Sequence, residues 1–435
     1  MRKISVADSG TFFEADKRPF FFFADTVWAA FSNATEEEWD VFTQYRAEQG
    51  FNTLQISVMP VLHDASDTYV GPTPYASKGG YARGPWDFTK PSDEYFEKAE
   101  RMVALAAERG LTTCLVLLWN NYVPGTWANT RRPDVTIPKE LVAEYSSFVA
   151  NRFKSYNPVY FIAGDTRFET DEITEYFMIG LDAVKKADPS ALTAMHITGN
   201  NSDLPAVVVD SPLLDFYTYQ SGHRIEHIHN TWKLAEQFRE KYPTRPIVNS
   251  EPCYEGHGHA GGVYGRWNAF DLRRAFWTSV LSGANAGFTY GAHGVWSWHR
   301  RGGEFTSVPN SRIPFHWSTG MAFDGGWDCA FSKNVFEQYG LWEAEPAQDI
   351  IPDAPEGVRA ARAASGSGRQ VVAVYMPCAD PVTVTVDDAA KYRFTIVDIE
   401  RRQYLGAEVS TVDGGAVVVL PERNTDYLII GEKAR

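Results

Sequence analysis

Two short apolar runs in the chain each end in an acidic residue, and these two acids are the strongest candidates for chemistry. Residues 159–163 are apolar and are followed by Gly164 and Asp165, and residues 246–250 are followed at once by Glu251. Runs of this kind predict buried strands, and barrel enzymes carry their active sites at the carboxyl ends of such strands. Two carboxyl groups delivered in this way could cleave a glycosidic bond.

Glycoside hydrolysis requires one carboxyl group that protonates the leaving oxygen and another that attacks the anomeric carbon or activates water. We predict that Asp165 and Glu251 are this catalytic pair, because their strands would be the fourth and the seventh and would face each other across a barrel. A single acid after a strand more often caps the next helix, and the second acid reduces the weight of that alternative. Glu255 is an alternative candidate for the role of Glu251, but it is predicted instead to contact the substrate or to support the catalytic pair.

Other polar and aromatic residues lie at or near the predicted strand ends, where they could hydrogen-bond sugar hydroxyls or stack on sugar rings. Each of them alone is more often a packing residue, but their accumulation at one face predicts a polar pocket. Aromatic residues form 14% of the chain, which fits either a carbohydrate site or an aromatic-rich core. The predicted substrate-binding residues are Asp25, Trp28, Gln55, Trp119, Asn120, His196, Gln220, His223, Glu255, Tyr290, His293 and Trp296.

Other catalytic chemistries have weak signals. His257 and His259 flank a glycine, but no third ligand has diagnostic spacing, so neither a metal nor any other cofactor is predicted. A serine hydrolase would require a Gly-x-Ser-x-Gly turn, and the sequence at residues 365–368 does not match it.

The elements that must position these residues alternate along the first three quarters of the chain. Helical patterns separate the strands. The clearest N-terminal cap is Thr35, which is followed by Glu-Glu-Glu, and Gly110 is a C-terminal cap of another helix. The segment 200–213 is short, and a helix there is not firmly predicted. Eight strands are predicted, at residues 20–24, 51–57, 111–119, 159–163, 192–197, 214–220, 246–250 and 286–291. This alternation predicts an α/β fold, the (β/α)₈ TIM barrel; an open doubly wound sheet is disfavoured because no Gly-rich phosphate loop follows the first strand.

The pattern changes near residue 351 to seven short, partly alternating runs separated by Gly, Pro, Asp and Asn. We therefore predict a barrel catalytic domain over residues 1–345 and a small all-β sandwich domain over residues 350–435. Packing against the barrel is the expected role of the sandwich; carbohydrate binding is an alternative for which the sequence gives no support.

Composition and charge limit the classes of partner that the protein could bind. The net charge of −14 disfavours binding to nucleic acid, and no apolar run is long enough to cross a membrane. The N-terminus lacks a hydrophobic signal region, and the four cysteines show no Cys-x-x-Cys spacing, so we expect a cytoplasmic protein with reduced thiols. The expected partner is an oligosaccharide or glycoside substrate, and the oligomeric state is not predicted.

Several segments together resemble glycoside hydrolase family 140, the apiosidase-like family. The resemblance covers roughly residues 10–330 and is carried by residues 23–28, 50–52, 161–165, 219–223, 249–255 and 290–296. It implies a (β/α)₈ barrel with a C-terminal β-sandwich, Asp165 as the general acid/base and Glu251 as the nucleophile. The activity characterised in that family is the release of apiose, a branched pentofuranose, from pectic side chains. The chain departs from the family in having Ala24 and Ala163 where the family usually has glycine, and the loop at residues 60–91 is individual.

The sequence thus supports the hypothesis of an exo-acting glycoside hydrolase on a pentofuranoside, either apiosidase-like or arabinofuranosidase-like. A non-catalytic carbohydrate-binding protein on the same scaffold is the alternative from another class, and a lyase or transglycosylase is a third. Whether hydrolysis retains or inverts the anomeric configuration is left open, since it depends on the separation of the carboxyl groups.

Overall fold

A sheet of eight parallel strands forms the larger part of the molecule, as seen in a computed structural model that describes residues 2–78, 83–307 and 310–434. Along the sheet the strands follow the order fifth, fourth, third, second, first, eighth, seventh, sixth, which is the order of a (β/α)₈ barrel. The predicted barrel is therefore confirmed. Its strands are Phe22–Thr26, Thr53–Ser57, Thr112–Trp119, Val159–Gly164, Thr193–Ala194, Tyr217–Tyr219, Ile247–Asn249 and Gly287–Tyr290.

The barrel has a seam between its fifth and sixth strands, which are not paired as a ladder. Single hydrogen bonds cross the seam instead, from the amide of Asp215 to the carbonyl of Thr193 at 3.0 Å and from the hydroxyl of Thr218 to the carbonyl of Met195 at 2.7 Å. The connection between these strands contains only the four-residue helix Ala206–Val209. The short segment 200–213 noted in the sequence thus connects the two barrel strands that do not pair with each other.

The helices that surround the barrel begin and end close to the predicted positions. Thr35 caps the first long helix through a capping box with Glu38, and Gly50 ends it with φ of 95°, a conformation that favours glycine. The sequence patterns did not identify Trp317–Met321 and Asp324–Gln338. The helices are Ala30–Asn33, Glu36–Gln49, Asp93–Glu108, Lys139–Phe153, Asp171–Ala187, Ala206–Val209, Asn230–Lys241, Ala269–Val280, Trp317–Met321 and Asp324–Gln338. None of the helices in the described ranges has the length and apolar character needed to cross a membrane.

Two small sheets stand outside the barrel. An N-terminal antiparallel sheet, made of Ile4–Val6, Phe13–Ala15 and Arg18–Phe20, lies at the amino ends of the barrel strands, where the Phe13 ring meets Phe216 at 5.1 Å. The loop at residues 60–91 contains a second, two-stranded sheet of Tyr75–Ser77 and Trp86–Pro91, and its residues 79–82 lie outside the described ranges. The first sheet covers the end of the barrel opposite to the candidate site.

Two antiparallel sheets form the C-terminal part of the chain, as predicted. Apolar side chains such as Val374, Val384 and Ile429 fill the space between them. The division of the chain at residues 345–350 stays a prediction. In sheet order, the larger sheet consists of Glu345–Pro346, Arg362–Ser365, Val371–Met376, Tyr427–Lys433, Tyr392–Asp398 and Gln403–Gly406, and the smaller of Val382–Thr385, Gly415–Val419 and Glu408–Val412.

The larger C-terminal sheet also packs against the barrel. Leu428 and Ile430 belong to the same apolar core as the barrel strands. Buried ion pairs reinforce this contact, since the guanidinium of Arg273, on helix Ala269–Val280, lies 2.7 Å from Asp426 and 2.8 Å from Asp328. A buried charge that loses its partner is strongly destabilising, so these pairs tie the sheet to two barrel helices.

Candidate active site

A cavity of about 500 Å³ opens at the carboxyl ends of the barrel strands. Its wall is mainly polar and is built from residues that follow the fourth to seventh strands, together with loops that follow the second, third and eighth. These residues include Asp64, Trp127, Arg131, Asp165, Arg167, Thr198, Gln220, Ser221, His223, Arg224, His227, Asn230, His257, Ala260, Gly261, Asn310 and Ser311. Its position and lining are typical of a site that binds a small polar ligand.

Glu251 follows the seventh strand and is held between two imidazole rings. One carboxylate oxygen hydrogen-bonds with Nε2 of His223 at 3.0 Å, and the other lies 3.1 Å from Nε2 of His196, in a contact less well directed than a hydrogen bond. Burial alone would raise the pKa of Glu251, but the two histidines outweigh it and hold the pKa below its usual range. Glu251 is therefore a carboxylate at neutral pH.

Asp165 follows the fourth strand and has a constrained backbone with φ of 56°. Its carbonyl accepts hydrogen bonds from Nδ2 of Asn120 at 2.7 Å and from the indole nitrogen of Trp127 at 3.2 Å. Gly164 must precede it because a β-carbon there would lie 2.5 Å from the Trp119 ring. The Gly-Asp pair visible in the sequence thus reflects a close approach between the third and fourth strands.

The side chain of Asp165 has the opposite protonation preference from Glu251. Burial raises the pKa of Asp165 well above its usual range, the negative charge of Glu251 raises it further, and a hydrogen bond with Thr198 only partly opposes these effects. Asp165 therefore favours the protonated form beside an ionised Glu251. Two carboxyl groups whose pKa values are pushed apart in one site can act as proton donor and as negatively charged partner.

Six of the other predicted residues lie in or next to this site. Gln220 and His223 line the cavity. Asn120 holds the backbone of Asp165, and His196 contacts Glu251. The indole rings of Trp28 and Trp119 pack around His196, with ring centroids 5.3 and 5.9 Å away.

His293 and Trp296 lie behind the cavity wall. The ring of His293 packs against that of His257 at 4.8 Å, and its Nδ1 accepts a hydrogen bond from the indole nitrogen of Trp296 at 3.3 Å. Burial lowers the pKa of His293, which is therefore neutral. His293 thus packs directly against His257, which itself lines the cavity, and Trp296 packs against His293.

The structure does not bring Asp25, Gln55, Glu255 or Tyr290 to the cavity. Asp25 and Tyr290 are neighbours on the first and eighth strands and point outward, towards the surrounding helices. Gln55 points into the barrel and donates to Thr289 at 2.7 Å. Residues at successive strand positions alternate between two faces, so a place near a strand end did not by itself identify a cavity residue.

Two residues next to the catalytic candidates were missed among the predicted site residues. Tyr254 lies three positions after Glu251, and its hydroxyl accepts a hydrogen bond from the indole of Trp28 at 3.1 Å. The ring of His257 stacks on His223 at 4.5 Å. The spacing of His257 and His259 had suggested at most a weak metal motif, and across the described ranges no three His, Cys, Asp or Glu side chains are grouped to hold a metal ion.

Comparisons with known proteins bear on the family and on the fold. The sequence profile of the family described as "Apiosidase-like, catalytic domain" matches residues 7–343. A search of curated proteins found no match.

Solved structures resemble the whole chain. A protein described as a glycoside hydrolase shares 21% identity at a TM-score of 0.80, over 99% of this chain and 97% of its own. A glycoside hydrolase family 5 protein from Bacteroides vulgatus ATCC 8482 shares 20% identity at a TM-score of 0.79, over 99% of this chain and 93% of its own. A glycoside hydrolase family 5 mannosidase from Rhizomucor miehei shares 13% identity at a TM-score of 0.52, over 78% of this chain and 100% of its own. At these identities the likeness shows a common fold.

Proposed function

This chain belongs to the apiosidase-like family of glycosidases, and from that premise we propose that it is an exo-acting hydrolase that removes a terminal pentofuranose. The proposal includes the narrower assignment to glycoside hydrolase family 140. The observation that carries the mechanism is the pair of buried carboxyl groups with opposite protonation preferences beside one cavity. Such a pair provides both of the groups that glycoside hydrolysis needs.

In this mechanism Asp165 is the general acid/base. Its burial and the nearby charge of Glu251 keep it protonated at a pH where a free aspartate would be ionised. It transfers this proton to the oxygen of the leaving group while the glycosidic C–O bond breaks. In the second step it accepts a proton from the attacking water, and so returns to its starting state.

Glu251 is the nucleophile in the same mechanism. Its carboxylate attacks the anomeric carbon and forms a glycosyl-enzyme intermediate, which water then hydrolyses. His223 and His196 each cover one of its oxygens, so they fix the carboxylate in place and keep it ionised. Tyr254, whose ring lies 4.5 Å from that of His223, completes the surroundings of this group.

The lining of the cavity supports a small, highly hydroxylated sugar joined to a negatively charged leaving group. Polar side chains such as Gln220 and Asn230 are available for sugar hydroxyls. Arg131 and Arg167 also line the cavity; the guanidinium of Arg131 lies 5.0 Å from the ring centroid of Trp127, and neither arginine forms an ion pair with an acidic residue within the described ranges. Unpaired guanidinium groups suit the carboxylates of an acidic oligosaccharide, in keeping with the pectic substrates that the resemblance implies.

The test is a screen of aryl glycosides that includes apiofuranosides and arabinofuranosides beside common pyranosides. We expect the fastest hydrolysis with a pentofuranoside, and a loss of about 10³-fold or more in Glu251→Gln, because the amide cannot act as the nucleophile. Glu255→Gln is the matched control, since that acid lies four residues away and accepts hydrogen bonds from Tyr290 and Gly325 rather than contacting the two histidines. Full activity in Glu251→Gln would refute the assignment.

Analysis of the products separates the remaining alternatives. Hydrolysis adds the mass of one water to the products, whereas a lyase adds none and a transglycosylase joins the sugar to an acceptor. Binding of sugars with no turnover over long incubation would instead support a non-catalytic carbohydrate-binding protein.

A further inference from the structure

The loop after the seventh barrel strand forms part of the cavity wall. Ala260 and Gly261 line the cavity. The amide of Ala260 donates to the carbonyl of His223 at 2.9 Å, and the amide of Gly258 donates to the carbonyl of Ser311, also at 2.9 Å. The loop is thus anchored to both neighbouring parts of the wall.

Residues 258–266 of this loop form a small hairpin. Gly258 and Arg266 pair as an antiparallel bridge at its base. At its tip Gly261 and Gly262 have φ of 87° and 79°, a conformation that suits glycine and allows a tight reversal of the chain. The anchored base and tight tip hold the residues that follow in a defined position.

An exposed apolar patch lies on this hairpin and on the adjacent segment. Tyr264 is 93% exposed, Ile313 is 65% exposed and Val263 is 41% exposed. The hydroxyl of Tyr264 forms no hydrogen bond within the described part of the chain, and the guanidinium of Arg312 lies 5.9 Å from its ring centroid. The fold therefore gains little from an aromatic residue at this position, and exposed apolar patches beside a cavity commonly mark binding surfaces.

We propose that Tyr264 is a stacking platform for a sugar residue of the substrate that lies outside the cavity. This inference rests on the proposed function and extends it from the cleaved sugar to its neighbour. The face of a sugar ring carries C–H groups that pack against an aromatic face. The Gly258–Arg266 bridge already closes the hairpin, so binding does not have to form this turn. Tyr264 lies three residues after the lining residue Gly261, and its ring is 5.9 Å from the guanidinium of Arg312, which follows the lining residue Ser311. An occupant of this patch would therefore adjoin the cavity, which favours a further sugar of the same substrate.

The experiment compares Tyr264→Ala and Tyr264→Phe on two probes, methyl β-apiofuranoside and an apiose-terminated oligosaccharide prepared from pectin. We expect kcat/KM for the oligosaccharide to fall about fivefold to tenfold in Tyr264→Ala, with little change for the methyl glycoside and with Tyr264→Phe close to the wild type. Val358→Ala, at a site 72% exposed in the C-terminal part, is the control for loss of an exposed apolar side chain. Equal losses on both probes would overturn the proposal.

A binding measurement separates failure of this inference from failure of the proposed function. Calorimetric titration of the same oligosaccharide into Glu251→Gln, with and without Tyr264→Ala, reports stacking without turnover. A weaker Kd with the double variant supports the platform even if no probe is hydrolysed. An unchanged Kd rejects the platform even if the hydrolase assignment holds.

Discussion

Two groups of buried acids lie at the ends of barrel strands, and they have different surroundings. The cavity pair consists of Asp165, which lines the cavity, and Glu251, which contacts His196 and the lining residue His223. The sealed cluster consists of Asp25, Arg46, Glu255 and Tyr290, which lie between the barrel and its helices. In the sealed cluster Arg46 lies 2.6 Å from Asp25 and 5.5 Å from the ring of Tyr290, whose hydroxyl donates to Glu255 at 2.6 Å.

The difference shows that burial and a perturbed pKa do not by themselves distinguish the acids proposed to be catalytic from structural ones. Burial raises the pKa of Asp25, with Arg46 opposing it, just as burial raises the pKa of Asp165. What differs is access, since Asp165 borders a cavity and Asp25 is fully buried. The protonation preferences differ too, because only in the cavity pair does one acid favour its neutral form while the other is ionised.

The largest expected effect is on the cavity pair. Asp165→Asn should lower kcat/KM by about 10²- to 10⁴-fold on a substrate with a poor leaving group, because the amide cannot transfer a proton. The loss should be smaller on an aryl glycoside, whose leaving group needs less protonation. The wild-type rate should fall at high pH as Asp165 ionises, and a pH profile of the variant should lack that limb. If the variant keeps the alkaline limb of the pH profile, that limb reports the ionisation of a group other than Asp165.

The next effect concerns the sealed cluster and should change stability rather than catalysis. Arg46→Met leaves the buried Asp25 without its ion-pair partner and should cost about 3–5 kcal/mol of the free energy of unfolding. Denaturant titration measures this cost. The double variant Asp25→Leu with Arg46→Met should recover much of it, because no charge is then buried. Loss of kcat in the protein that remains folded would show that the cluster acts on catalysis as well.

The smallest effect is a pH dependence of stability at Glu255. Burial raises the pKa of Glu255 to about 7, against hydrogen bonds from Tyr290 and Gly325. Its folded pKa is above the unfolded value, so ionisation destabilises the fold as the pH rises from about 4.5 towards 7. Glu255→Gln removes this penalty, and its stability relative to wild type should improve by about 2 kcal/mol between pH 5 and pH 8. Equal pH dependence in both proteins would contradict the shift.

Much of the barrel could be predicted because parallel strands covered on both faces are continuous apolar runs, as in Thr112–Trp119. Helix caps such as Thr35 could also be predicted, because the capping residues lie close together in the sequence. The N-terminal sheet could not be predicted because its three-residue strands are too short for a period to appear. The helix Asp324–Gln338 was missed although its residues are mostly buried, and buried residues all round a helix leave little amphipathic pattern.

The site was predictable only in part. Residues fixed by a strand end, such as Asp165 and Glu251, could be placed from the barrel count alone. His257 and Tyr264 lie on a loop, so their relation to the cavity depends on hydrogen bonds between segments distant in the sequence. Asp25 failed as a cavity residue because its orientation is set by the pleat, and neither face of a strand buried on both sides is marked by polarity.

The buried charges around Arg273 make the C-terminal sheets a structural part of the enzyme. Arg273 lies on the helix that follows the segment carrying Glu251. Its carboxylate partners are Asp426, which directly precedes the C-terminal strand Tyr427–Lys433, and Asp328 on helix Asp324–Gln338. A chain cut before the C-terminal sheets would leave this guanidinium without Asp426 and would expose the apolar surface beneath Leu428. Replacing these sheets with those of another protein would therefore require an acid at the position of Asp426, so that the buried guanidinium keeps its partner.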